Sequence, residues 1–222
     1  MSICITPLTL GGLDDLTAHT RRCVFWEIAP ELARQAEEFA DPTFEKEAWL
    51  SMVMLEWGSC GQIASDDGKP AGVALYAPPS AVPRSALFPT SPVSPDAVLL
   101  TTLRVEPRFE HTMVSDDLVD AVVADLVRRG VRALEAFGIR RLADDRPALP
   151  TATSSQTCSP SNCMIDADVL EEVGFKVIAP HHLYPRLRLD IDHNHDWKSD
   201  VEHALDQLMA AAELEKQKVV AC

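Results

Sequence analysis

The period of apolar and polar positions changes several times along the chain, and each change marks an element. The opening SICITPLTL alternates β-forming residues up to Gly11-Gly12, which predicts an edge strand closed by a turn. From Asp14-Asp15 the period lengthens. Leu16, His19, Cys23 and Trp26 share one helical stripe that stops near Pro30. FEKEAWLSMVMLEWG then sets Phe44, Ala48, Met52 and Leu55 on one face, with Trp49 and Val53 beside them and Gly58 as a cap, which predicts a second helix.

Two short β-rich runs flank Asp66-Asp67-Gly68, and an Asp-Gly pair supplies the positive φ that a hairpin turn demands. The proline-rich segment from Pro78 to Pro95 cannot continue a ladder and predicts an ordered, irregular connection. It leads into the continuous apolar strand AVLLTTLRV. The clearest helix follows, with Leu118, Val119, Val122, Val123, Leu126 and Val127 on one stripe, Arg128-Arg129 at its C-terminal dipole and Gly130 as cap. VRALEAFG reads as a strand, and RRLADDRPALPTATSSQTCSPSN has the content of a loop. DADVLEEVGF predicts a short helix ending at Gly174, and FKVIAPHHLYPRLRLDI two strands broken near Pro180 and Pro185. Trp197, Val201, Leu205 and Leu208 return to helical spacing near the C-terminus, and the residues from Glu213 are expected to fray. The order predicts a mixed α/β domain with helices on both faces of one sheet.

Composition narrows the function classes. A chain of 222 residues with 46% apolar residues builds a sizeable core. Its formal charge of -14 argues against nucleic acid, whose binding needs many cations set against phosphates. Prolines and an arginine interrupt every long apolar run, so no membrane span is expected. Six scattered cysteines and the lack of a basic, apolar leader point to a cytoplasmic protein. Cys158-x4-Cys163, His181-His182 and His193-x-His195 fit no closed zinc pattern, and adjacent histidines in a strand would point to opposite faces, so no metal is expected.

Between strand and helix stands VEPRFEHTMVSDDL. A loop in this position suits a phosphate when glycines let backbone N–H groups approach it, yet this loop has four acids and no glycine. Ser115 reads as the helix N-cap, and Asp116 and Asp117 suit the first turn through the helix dipole.

The segments VALYAPP, SPVSPDAVLLTTLRVEP, RRGVRALEAFG and LEEVGFKVIAPH resemble the GNAT family of acetyl-CoA-dependent N-acetyltransferases, and more narrowly an actinobacterial branch of it. The likeness implies a GNAT-like acyl-CoA N-acyltransferase fold over residues 1–191, with 192–222 as a C-terminal helical extension. It implies acetyl-CoA as co-substrate and an amine as acceptor. Cofactor contacts are then expected from Leu103, Arg104, Val105, Val114, Ser115 and Asp116, with pantetheine along the strand end and pyrophosphate at the helix start. In the family's phosphate motif the Arg or Gln position falls on Glu110 and the first glycine on Met113. A carboxylate ~6 Å from a phosphate charge costs about 2 to 3 kcal/mol at an effective dielectric near 20, before screening. The tyrosine that often returns a proton to the CoA thiolate is replaced by Leu170, leaving Tyr184 or Cys163 as substitutes. Glu27 and Glu56, each beside aromatics, are candidate bases, and burial against Trp would raise their pKa. Two functions follow. One is direct acyl transfer to an amine, by a monomer or a homodimer. The other is a GNAT-fold scaffold that has lost CoA and binds a protein partner.

Overall fold

The computed structural model describes residues 3–29, 41–140 and 158–191. The Trp197 helix, the 192–222 extension, His193, His195 and the body of the Ser/Thr/Pro loop lie outside them. The described chain runs β1 (Ile3–Pro7), a 3-10 turn (Leu10–Asp15), α1 (Ala18–Arg22), α2 (Pro42–Glu56), β2 (Gly61–Asp66), β3 (Lys69–Ala77), β4 (Ala97–Val105), α3 (Val114–Arg128), β5 (Ala133–Ile139), α4 (Pro160–Cys163), β6 (Ile165–Asp166), α5 (Ala167–Glu172), β7 (Lys176–Ala179) and β8 (Arg186–Asp190). The strands form one sheet in the order β1-β2-β3-β4-β5-β8-β7, with β6 on β5. β1 to β4 pair antiparallel, while β4 and β5 pair parallel.

Two apolar layers sandwich this sheet. On one face α3 and α5 bury Val114, Leu118, Val122, Leu126 and Leu170 against Tyr76, Leu100, Leu134 and Leu187. On the other, α2 and the α1 region bury Trp26, Trp49, Leu50 and Val53 against Val73, Leu75, Leu99 and Phe137. Gly72 lets α3 approach β3, because a Cβ there would meet the Arg104 carbonyl and Leu118 Cδ1 at 3.0 Å. The β2–β3 turn holds Asp67 at φ 50° and Gly68 at φ 74°, the conformation the Asp-Gly pair predicts.

Three expectations from periodicity need correction. The predicted helix from Asp14 is only five residues, Ala18–Arg22. Leu16 takes an extended backbone after the 3-10 turn, and Thr17 restarts the chain as a new N-cap by accepting from the Thr20 N–H. Helix α2 exists, but the stripe chosen for it faces outward: Phe44, Met52 and Leu55 are exposed. Its buried face is Lys46, Trp49, Leu50 and Val53. A buried lysine in register with the apolar positions disguised that face. The third correction concerns His181 and His182, which sit in the turn after β7 with ring centroids 4.3 Å apart and so are not splayed across a strand.

Candidate active site

The parallel pairing of β4 with β5 covers only Ala97–Leu99 against Ala133–Glu135. Beyond that point β4 continues to Val105 paired with β3, while β5, whose opposite edge pairs with β8 from Ala133 to Phe137, takes β6 at Gly138 and Ile139. A wedge therefore opens between the two strands. Among the described residues, the β5-facing edge of β4 from Leu100 to Val105 has no strand partner. The cause is local. Thr101 is an extra residue opposite the Leu75–Tyr76 step, and its hydroxyl donates to the Leu75 carbonyl at 3.1 Å. Such a bulge bends its strand away from the neighbour.

Ion pairs pin the apex of the wedge. Glu135, the last β5 residue opposite β4, is fully buried and bound by Arg186, by Arg188 at 3.2 Å and by the Ser94 N–H at 3.2 Å. Arg188 also reaches Asp96 at 2.9 Å, and these contacts together hold Arg188 well above its usual pKa.

The mouth of the wedge carries the expected cofactor residues. Leu103, Arg104 and Val105 are half-buried, in contrast with the buried start of the strand. Arg104 reaches across the opening and donates to the Asn162 carbonyl at the end of α4. Past Val105 the chain returns to the sheet through Glu106 N–H to Ala71 carbonyl, 2.8 Å, and buries Phe109 in the core. Glu110, His111, Thr112 and Met113 are exposed, so Met113 does not fill the wedge.

Ser115 is not the N-cap. The helix starts two residues earlier than a Ser115 cap implies, at Val114, with Met113 as its cap and no side-chain hydrogen bond to the first turn. Val114 is a buried anchor, while Ser115 and Asp116 are half-buried at the second and third helical positions. The result is a 15-residue helix whose first-turn N–H groups no side chain caps, beside a free strand edge. Acids surround that opening. Partial burial raises the pKa of Asp120, and the neighbouring charges of Asp116 and Asp117 push it the same way.

The catalytic candidates are placed differently from one another. Glu27 is buried and ion-paired with Lys46, and its second oxygen accepts from the Trp26 N–H at 3.1 Å. Burial raises its pKa and Lys46 opposes the rise. Glu56 is exposed at the end of α2. Tyr184 packs edge-on to Phe88 at 5.5 Å and stacks on His181 at 5.9 Å, in the aromatic layer that includes Trp26 and Phe137. Leu170 is a fully buried core residue and offers no acid. Lys46 escaped the sequence reading, although its spacing to Trp49, Leu50 and Val53 was a visible signal.

An antiparallel arm, a bulged β4, a wedge opposite a parallel β5 and a helix starting at its mouth define the GNAT acyl-CoA N-acyltransferase fold. The solved structures it resembles bear this fold. They include an N-acetyltransferase from Staphylococcus aureus Mu50, with a TM-score of 0.52 and 12% identity over 86% of this chain and 100% of that one. The PaiA N-acetyltransferase of Thermoplasma acidophilum, solved in complex with coenzyme A, has a TM-score of 0.51 and 13% identity over 86% and 99%. YncA of Salmonella typhimurium, solved with its cofactor acetyl-CoA, has a TM-score of 0.52 and 13% identity over 86% and 95%. No family model matches the chain, and no curated protein does. No described helix is long and apolar enough to cross a membrane.

Proposed function

We propose that the chain transfers the acetyl group of acetyl-CoA to an amine by direct attack. The observation that carries this reading is the unpaired β4 edge lying beside the uncapped start of α3. Pantetheine amides would pair with the backbone from Leu103 to Val105, and the pyrophosphate would meet the N–H groups of Val114, Ser115 and Asp116. The amine nitrogen bonds to the thioester carbonyl carbon, the C–S bond breaks, and CoA leaves as a thiolate that takes up a proton.

The residues on hand favour positioning over proton transfer. Glu27 is engaged by Lys46 and Tyr184 by its ring neighbours, so solvent accepts the amine proton. An enzyme without a placed acid and base forgoes a factor of about 10² to 10⁴, and slow turnover is the expectation. Isothermal titration with acetyl-CoA tests the reading. Saturable heat together with release of CoA thiol on adding amines supports it, and no heat and no thermal shift at millimolar cofactor overturns it.

A second reading has its own observation. Glu110, Asp116, Asp117 and Asp120 place negative charge where the pyrophosphate would arrive, and Leu170 removes the usual acid. These suit a scaffold that binds a protein partner without CoA. Failure of the titration selects this alternative.

A further inference from the structure

Four side chains from distant parts of the sequence meet where α1 touches α4. His19 Nε2 lies 3.6 Å from Cys163 Sγ. The ligand atoms of His19, Cys23 and Cys163 all lie within 4.8 Å of one another. Cys158 lies beside this trio, close enough to the Cys163 and Cys23 thiols to interact with them and packed against the same buried cluster, and is the nearest candidate for a fourth ligand. We propose that His19, Cys23, Cys158 and Cys163 form a closed, tetrahedral Zn²⁺ site that clips α1 to α4.

The geometry of the elements supports it. His19 and Cys23 are one helical turn apart on α1, the Cys23 N–H bonding the His19 carbonyl at 2.9 Å, so both side chains leave the same side. Cys158 and Cys163 bracket the single turn of α4, whose Cys163 N–H bonds the Ser159 carbonyl at 2.9 Å. Zinc–sulfur and zinc–nitrogen bonds of about 2.3 and 2.1 Å give tetrahedral edges of about 3.6 Å between N and S and about 3.8 Å between two S atoms. The His19–Cys163 separation matches the first of these, and the 4.8 Å spread among His19, Cys23 and Cys163 closes with small side-chain rotations.

Chemistry selects the metal. Three thiolates and one imidazole, all from protein, suit zinc in a structural role, because a catalytic site keeps one position for water. The bound set carries -1, from +2 on zinc and three thiolate charges. Arg84 supplies the balancing cation: its guanidinium stacks on Phe25 at 4.1 Å, donates to the Phe25 carbonyl and lies within electrostatic reach of all three sulfurs.

The function of the clip follows from its place. α4 supplies the Asn162 carbonyl that Arg104 grips across the wedge, so a metal on Cys158 and Cys163 fixes one wall of the candidate active site to α1. The inference does not depend on whether acetyl-CoA binds.

The test uses the full-length chain, expressed in zinc-supplemented medium and purified with reductant but without chelator. Elemental mass spectrometry is expected to find about one zinc per chain. Cys4→Ser keeps it, whereas Cys23→Ser and Cys163→Ser lose it. Cobalt added to chelator-stripped wild type is expected to give the intense visible bands of tetrahedral thiolate Co²⁺. Where a variant fails to fold, alkylation of wild type decides: Cys23, Cys158 and Cys163 are protected until chelator is added, while Cys4 reacts throughout. Metal-free protein with no cobalt spectrum overturns the proposal, as does a Cys158–Cys163 disulfide in place of the metal.

Discussion

Lys46 and Glu27 form an ion pair with their side chains only 2% and 1% exposed. α2 delivers the lysine between Trp49, whose ring it approaches at 5.5 Å, and the loop that follows α1. A charge so placed is tolerable only while its partner stays. Lys46→Met is therefore expected to cost about 3 to 5 kcal/mol near neutral pH, because it strands the carboxylate. Urea unfolding measures this, and a loss under 1 kcal/mol would show the pair to be dispensable. Replacing both residues, Lys46→Met with Glu27→Leu, should recover much of the loss.

The same pair sets a pH dependence. Burial raises the folded pKa of Glu27 above the ordinary 4.5, with Lys46 acting in the opposite sense. The folded state thus holds this proton to higher pH than the unfolded state does. The stability tied to that proton is fully present below about pH 4.5 and is lost as pH rises through the folded value. Glu27→Gln keeps a neutral side chain at every pH. The stability of wild type relative to this variant should therefore fall as pH rises from 4.5. An unchanged difference across that range would mean that Lys46 fully offsets burial.

Electrostatics of the α3 entrance gives a third prediction. Glu110→Gln, Asp116→Asn and Asp117→Asn together remove three negative charges around the proposed pyrophosphate site. Acetyl-CoA is expected to bind about tenfold tighter at low ionic strength, and the gain should shrink at ~0.15 M salt as screening sets in. Calorimetry at two salt concentrations reads both. A gain independent of salt would assign the effect to shape instead of charge.

Much of the fold was legible because β-strands and long helices obey their periods. The hairpin at Asp67-Gly68, helix α3 and the strands either side of Pro180 and Pro185 stand where alternation and glycine placed them. The short and charged cases failed. Leu16, His19, Cys23 and Trp26 keep helical spacing across a stretch that Thr17 interrupts, and a stripe containing Lys46 looks polar on any apolar scale. Ser115 is an excellent cap by type, but the loop geometry starts the helix at Val114. The cluster of His19, Cys23 and Cys163, with Cys158 beside it, joins two short spacings, His19-x3-Cys23 and Cys158-x4-Cys163, more than a hundred positions apart, and neither half alone makes a closed zinc pattern. The frame of the wedge was visible in VEPRFEHTMVSDDL; its opening at Thr101 was not, because one extra residue in a strand leaves the apolar pattern intact.

Arg104 offers the last prediction, since its guanidinium ties β4 to the Asn162 carbonyl across the wedge. A charge-assisted bond of this kind is worth about 1.5 to 3 kcal/mol when buried and less here, where the side chain is half-exposed. Arg104→Gln is expected to lower stability by about 1 kcal/mol and to loosen α4. Hydrogen exchange should quicken for the Asn162 and Cys163 amides, which bond Ser159, and stay unchanged in α3. A lysine at this position retains the charge without the fork and should restore only part of the protection. Unchanged exchange at Asn162 and Cys163 would show that α4 is held without the arginine, and the clip on Cys158 and Cys163 would then be the principal restraint on that wall.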